Sequence, residues 1–202
     1  PYGKIWRTGA DNCTTISFST DVVFNSNTSI DGVKISKTKI IKSGKYSIFS
    51  IPNKESWDVI LYSDTELWGV PRDWDEDKIV FKSTYKTNKP NVNSIDETFT
   101  ISFLNITNND ADMTFSWDDV SVTVDIVVPT KKIVSENIKQ VMSGSPSPSD
   151  YYSAAVYYKQ ENINLDIALK WINKAIDLFE NPRFYQLRQQ SLIMAANKKY
   201  SN

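Results

Sequence analysis

The hydrophobic period of this chain changes at Pro129, and that change constrains the fold more than any other feature. Before it, apolar and polar residues alternate. Phe99, Ile101 and Phe103 interleave with Thr98, Thr100 and Ser102; Met113, Phe115 and Trp117 follow, then Val120, Val122, Val124 and Ile126. A period of two puts one set of side chains on one face of a strand. After Pro129, Val134, Ile138, Val141 and Met142 fall at helical spacing. The chain therefore reads as α+β: a β domain over 1–129, a helix and Ser/Pro linker over 130–148, and a helical tail over 149–202.

The earlier strands carry the same signature. Thr14 to Phe24 reads as one half-buried strand, with Ile16 and Phe18 inward. Asp31-Gly32 and Ser43-Gly44 read as turns. Tyr46 to Ile51 is a strand stopped by Pro52, which has no N–H for a ladder. Trp57 to Tyr62 is nearly all apolar and suits a central strand; Ile79 to Tyr85 is another. Asn108-Asn109-Asp110 and Asp118-Asp119 sit at turns. Short strands with turns every ~8–12 residues predict an antiparallel sandwich. Its expected core is Ile16, Phe18, Phe99, Ile101, Phe103, Phe115, Val122 and Val124.

In the tail, Gly144 to Pro148 is a breaker and reads as a domain boundary. Ser149 or Asp150 can cap a helix starting at Tyr151. A second helix runs from Leu165 to Glu180, Asn181-Pro182 breaks it, and a third runs from Phe184 to Ala196. Ala168 and Ala175, one heptad apart, let paired helices approach closely. The pattern resembles a tetratricopeptide repeat, without the usual Trp-x-x-Leu-Gly start. The third helix then lacks a partner, and Leu192, Ile193 and Ala196 form an expected docking stripe.

Composition narrows the chemistry. The net charge of −1 gives no electrostatic reason to expect nucleic acid. Histidine is absent, so the commonest general base and zinc ligand are missing. Cys13 is the single cysteine; it has neither a disulfide partner nor a histidine to activate it. No apolar run is long enough to span a bilayer. The chain opens at Pro1 without Met, which is compatible with a signal peptide or lipid anchor upstream.

Several separated blocks, in order, resemble one family. They are the opening run Pro1 to Asn12, Ser43-Gly44-Lys45-Tyr46-Ser47-Ile48-Phe49-Ser50-Ile51-Pro52, Trp57-Asp58-Val59-Ile60-Leu61, and Trp68-Gly69. Together they are similar to the domain of unknown function 2911 family over about Pro1 to Val127. Tyr62-Ser63 stands where that family often has an Asn, and Thr28 to Ile41 is longer than its usual connection. The family has no established activity. The resemblance implies a Bacteroidota source, a periplasmic, outer-membrane-associated or secreted location, and a tetratricopeptide-like tail.

The opening run mixes aromatics, glycines and polar groups with no clean period, as a loop laid over a sheet would. Trp6, Arg7, Asp11 and Asn12 could line a pocket there. Alternatively, Arg7 pairs with a carboxylate such as Asp11 and the loop is a structural plug. Trp68 and Trp74 could form a carbohydrate platform, or sit under an acidic surface loop. Asp73-x-Asp75-x-Asp77 resembles the start of a calcium loop, but Lys78 replaces the required Gly and Thr84 the closing Glu. No metal or cofactor is expected. Asp11, Asp58, Asp64 and Glu66 could supply a glycosidase pair, with no spacing to select one.

Three functions follow as expectations. The first is a non-enzymatic secreted or cell-envelope protein that scaffolds a protein partner through its helical tail. The second is a carbohydrate- or small-ligand-binding β-sandwich. The third is a hydrolase using carboxylates alone.

Overall fold

The computed structural model of the chain describes residues 2–30, 33–89 and 95–197. The chain divides into two compact units, Pro1–Thr130 and Lys131–Asn202. Gly144 to Pro148, read above as a boundary, lies inside the second unit.

The first unit has two antiparallel sheets. Strands β1 (Thr15–Phe18), β4 (Gly44–Pro52), β5 (Ser56–Tyr62) and β6 (Ile79–Lys86) form one, in the order β1-β4-β5-β6. Strands β2 (Val22–Ile30), β3 (Val33–Ile41), β7 (Asp96–Leu104), β8 (Asp110–Asp118) and β9 (Val120–Val127) form the other, in the order β3-β2-β9-β8-β7. Alternation sends Tyr46, Ile48, Trp57, Val59, Leu61, Phe81 and Tyr85 of the smaller sheet inward. They meet Val22, Phe24, Ile41, Met113, Phe115, Val122, Val124 and Ile126 of the larger. The apolar run in β5 needs both its faces covered. Its other parity, Ile60 and Tyr62, joins Cys13 and Phe49 in a second core outside the sheet, under Leu67 and Trp74.

Two expectations about this unit are corrected. Thr14 to Phe24 is two strands in different sheets, β1 and β2, because the chain crosses over at Ser19 to Asp21. Asp21 holds that crossing by accepting from Lys42 Nζ (2.8 Å) and the Ser43 backbone N–H (2.9 Å). Phe103 has the inward parity of Met113 but is 48% exposed. It lies on the edge strand of a five-stranded sheet that faces only four strands, so its end of β7 is left uncovered. Ile16, Phe18, Phe99 and Ile101 pack against the core from its margin, while Phe115, Val122 and Val124 are fully buried. The turn assigned to Asp31-Gly32 lies outside the described residues.

The second unit contains α1 (Thr130–Ser143, its first residue in the β unit), α2 (Pro148–Gln160), α3 (Leu165–Leu178) and α4 (Phe184–Ala196). Ala155, Tyr158, Ala168, Ile172 and Ile193 form its core, with Ile138 of α1 packed against them. Helix α2 starts earlier than expected. Ser147 is its N-cap and Pro148 its first residue, since a proline's fixed φ and missing N–H suit that position. Helix α3 ends at Leu178, two residues short of the expected Glu180. The expected docking stripe is also corrected. Ile193 is fully buried against α2 and α3, so only Ala196 and part of Leu192 remain accessible.

Candidate functional site

Strand β1 covers only Gly44 to Ser47 of β4. The rest of that edge would leave backbone groups unpaired, and the opening segment fills it. Ile48 N–H donates to Thr14 O (2.8 Å), Trp6 and Ser50 exchange both backbone bonds (2.8 and 2.9 Å), and Gly3 N–H donates to Pro52 O (2.8 Å). The opening run is thus a second piece of edge strand rather than a loop laid over the sheet. Residues 7–13 are an excursion from it. Gly3 has φ +72°, a conformation L side chains rarely adopt, and a Cβ at Gly9 would stand 2.6 Å from Thr14 Oγ1, so glycine is favoured at both positions. Thr8, fully buried, donates its hydroxyl to Ser50 Oγ (3.0 Å), and Thr14 Oγ1 donates to Thr8 O (2.8 Å).

This edge pairing separates the candidates of the opening run. Trp6, opposite Ser50, turns into the space between the sheets. It stacks on Trp117 (centroids 5.7 Å apart, 27°) and meets Phe99 edge-on at 4.7 Å. Arg7 turns the other way, toward Cys13 and Gly69. Among the described residues Arg7 makes no ion pair, and its Nε is buried without a hydrogen-bond partner, so the expected carboxylate contact is absent. Cys13 Sγ donates to Gly69 O at 3.5 Å, and burial pushes its pKa up despite the nearby Arg7 charge. That suppresses the thiolate and suits a structural thiol.

Asp11 and Asn12 are exposed. Asn12 shares a polar hollow of about 260 Å³ with Thr15, Lys45, Thr65, Glu66 and Trp68. Trp68, 75% exposed, is distant in role from Trp74. Trp74 stacks on Tyr62 (4.5 Å, 26°), meets Phe49 edge-on (5.2 Å) and donates its indole N–H to Glu76 (2.9 Å). It is a cover for the outer core, not half of a platform. In the acidic run, Asp75 caps a short 3₁₀ turn, accepting from Asp77 N–H at 3.0 Å. Asp64 is bonded to Lys78 (3.0 Å), which holds its pKa below the ordinary carboxylate range. Asp58 accepts from Thr84 Oγ1 at 2.6 Å. These carboxylates have structural partners.

Aromatic and acidic groups converge elsewhere, at the end of the sandwich reached by Tyr2. A groove of about 510 Å³ opens there. Tyr2 comes from the opening segment, Pro52 and Trp57 from the ends of β4 and β5, Ile95 from just before β7 and Glu97 from its start, and Trp117 to Val120 from the β8–β9 hairpin. Trp57 is 4% exposed, and its indole N–H is buried with no hydrogen-bond partner among the described residues. Trp117 is 43% exposed, its ring lying between the Trp6 stack and the groove. The hairpin is tight, since Trp117 pairs with Val120, and Asp118 takes φ +56°. Sequence reasoning placed Trp57 and Trp117 in strands and Asp118-Asp119 in a turn without joining them. The available signal was two consecutive acids in a two-residue turn directly after a tryptophan.

The family model for proteins of unknown function (DUF2911) matches residues 1–126. The chain belongs to that family. The match covers nearly the whole β unit, including the opening edge segment and all but Val127 of the nine strands. The DUF2911 region therefore contains every residue that lines the groove. Comparison with curated proteins and with solved structures gave no match.

Proposed function

We propose that the DUF2911 domain of this chain is a non-enzymatic binding module that holds a saccharide or similar small ligand in the end groove. One observation carries this reading. Tyr2, Trp57 and Trp117 meet Glu97, Asp118 and Asp119 in a single concavity of about 510 Å³, within the usual size range of ligand sites. Aromatic faces offer a surface to the apolar side of a sugar ring, and carboxylates accept from its hydroxyls. Titration with a panel of oligosaccharides, followed by tryptophan fluorescence, tests it. Binding should perturb the emission and be lost in Trp117→Ala. A panel without any binder, or binding unaffected by that substitution, would reject the groove.

The helical unit supports a second reading, a protein-docking surface. Helix α4 opens with Phe184, 81% exposed, beside the half-exposed Tyr185 and Leu187. We assign docking to that end of α4 in place of the Ile193 stripe. Phe184→Asp should then reduce capture of a partner from an envelope fraction while leaving ligand binding in the groove intact. The family resemblance further supports an envelope or secreted location in a Bacteroidota species and a tetratricopeptide-like relation for α2 to α4. Cell fractionation of the source organism tests the location.

A further inference from the structure

The groove's charge is one-sided. Glu97, Asp118 and Asp119 line it, and among the described residues no lysine or arginine does. Asp96, next to Glu97, is paired directly opposite Asp118 across β7 and β8. Like charges opposite one another in a ladder repel and weaken the pairing. Among the described residues, Asp96, Glu97 and Asp118 have no cationic partner. Only Asp119 has one, Lys89, at 3.9 Å with both side chains exposed, where such a pair contributes little. The chain as a whole has a net charge of −1, so this corner concentrates negative charge that the rest of the molecule balances.

Two further observations say what would neutralise it. Among the described residues, no group of three carboxylates is arranged to hold a metal ion. The carboxylates instead share their groove with Tyr2, Trp57 and Trp117. Aromatic faces attract an organic cation through the ring quadrupole, and the attraction grows where water is excluded. Trp57 lines the same wall, and its buried indole N–H has no hydrogen-bond partner among the described residues.

Resting on the saccharide reading above, we infer that the ligand is an amino sugar, its protonated amine drawn to the acidic side of the groove that Glu97, Asp118 and Asp119 line and its ring face lying on Trp117. The amine supplies the missing charge, and the ring covers the aromatic wall.

Calorimetric titration of the full chain with two matched probes tests this. Glucosamine oligosaccharides carry free amines; N-acetylglucosamine oligosaccharides of the same length share the skeleton without the charge. The amine form should bind at least about tenfold more tightly, a difference of ~1.4 kcal/mol. Its affinity should fall as salt rises. Asp118→Asn should cost the amine form about tenfold and the neutral form, which loses only a hydroxyl contact, several-fold less, with circular dichroism confirming that the variant folds. Glu97→Gln should act the same way and keeps the test valid if the hairpin variant unfolds. Equal binding of the two probes, with loss of both in Trp117→Ala, would overturn the amino-sugar assignment while the saccharide groove stands. If neither probe binds but a neutral saccharide does, this inference alone fails. If no saccharide of either kind binds, both readings fall.

Discussion

The indole of Trp6, carried on the edge of the smaller sheet, stacks on that of Trp117 from the larger sheet, with centroids 5.7 Å apart. The contact joins the two layers where the groove opens, and Phe99 closes a triangle with both rings. Trp6→Ala is expected to destabilise the β domain by about 2–4 kcal/mol, toward the lower end for an aromatic because the ring is only partly buried. A double-mutant cycle with Trp117→Ala should show coupling of about 0.5–1.5 kcal/mol, the usual worth of an aromatic pair beyond its burial. Urea denaturation of the four proteins in the cycle measures both quantities. Additive single effects would mean the stack adds nothing beyond area.

Phe103 and Phe115 share inward parity in neighbouring strands and should respond differently to the same substitution. Phe115 is fully buried, so Phe115→Ala should cost about 3–5 kcal/mol. Phe103 stands at the exposed end of an edge strand, so Phe103→Ala should cost under about 1 kcal/mol. Thermal melts of the two variants decide this, and equal losses would mean that something covers β7.

Much of this architecture was legible in the sequence because a strand's period is short and repeats. Phe115, Val122 and Val124 could be placed inward from alternation alone. Alternation gives the face of a strand, however, and not the strand's place in the sheet. Phe103 obeys the pattern and is still exposed because β7 is at an edge. The same limit hid the break at Ser19 to Asp21, where the alternation continues through a change of sheet. The candidate site was less legible for a related reason. Trp6 and Arg7 are adjacent, so they read as one cluster, but edge pairing with Ser50 sends them to opposite faces. The groove gathers Tyr2, Trp57, Glu97 and Trp117 from four separate elements. No local spacing records that convergence, which exists only once the sheets are closed.

Arg7 provides a direct test of whether the opening segment is held by charge. Its Nε is buried without a partner, and no carboxylate among the described residues pairs with it. A buried donor lacking an acceptor costs free energy, while the aliphatic stem still packs. Arg7→Met should therefore leave the melting temperature unchanged or raise it by a few degrees. A clear fall would point to an acceptor for the guanidinium and return Arg7 to the role of a structural anchor.

The helical unit should lose stability in acid through one identifiable pair. Ser147 donates its backbone N–H (2.8 Å) and its hydroxyl (2.7 Å) to the Asp150 carboxylate, while Asp150 N–H donates back to Ser147 Oγ at 3.2 Å. The hydroxyl bond first, and the backbone bond second, hold the Asp150 pKa below the ordinary carboxylate range. A pKa lower in the folded state means that the unfolded chain binds the proton more tightly. The cap's contribution is then complete above the ordinary aspartate value, about 3.9, and is lost as pH falls through the lower folded value. The helical signal at 222 nm, followed in urea at pH 7 and at steps below pH 4, should show this loss. Asp150→Asn removes the titration, so its stability should change less over that interval than the parent's. Ser147→Ala should cost about 1 kcal/mol at pH 7, the usual worth of an N-cap hydroxyl, and should remove most of the same pH dependence. Parallel pH curves for the parent and Asp150→Asn would show that acid acts on the helices through other groups.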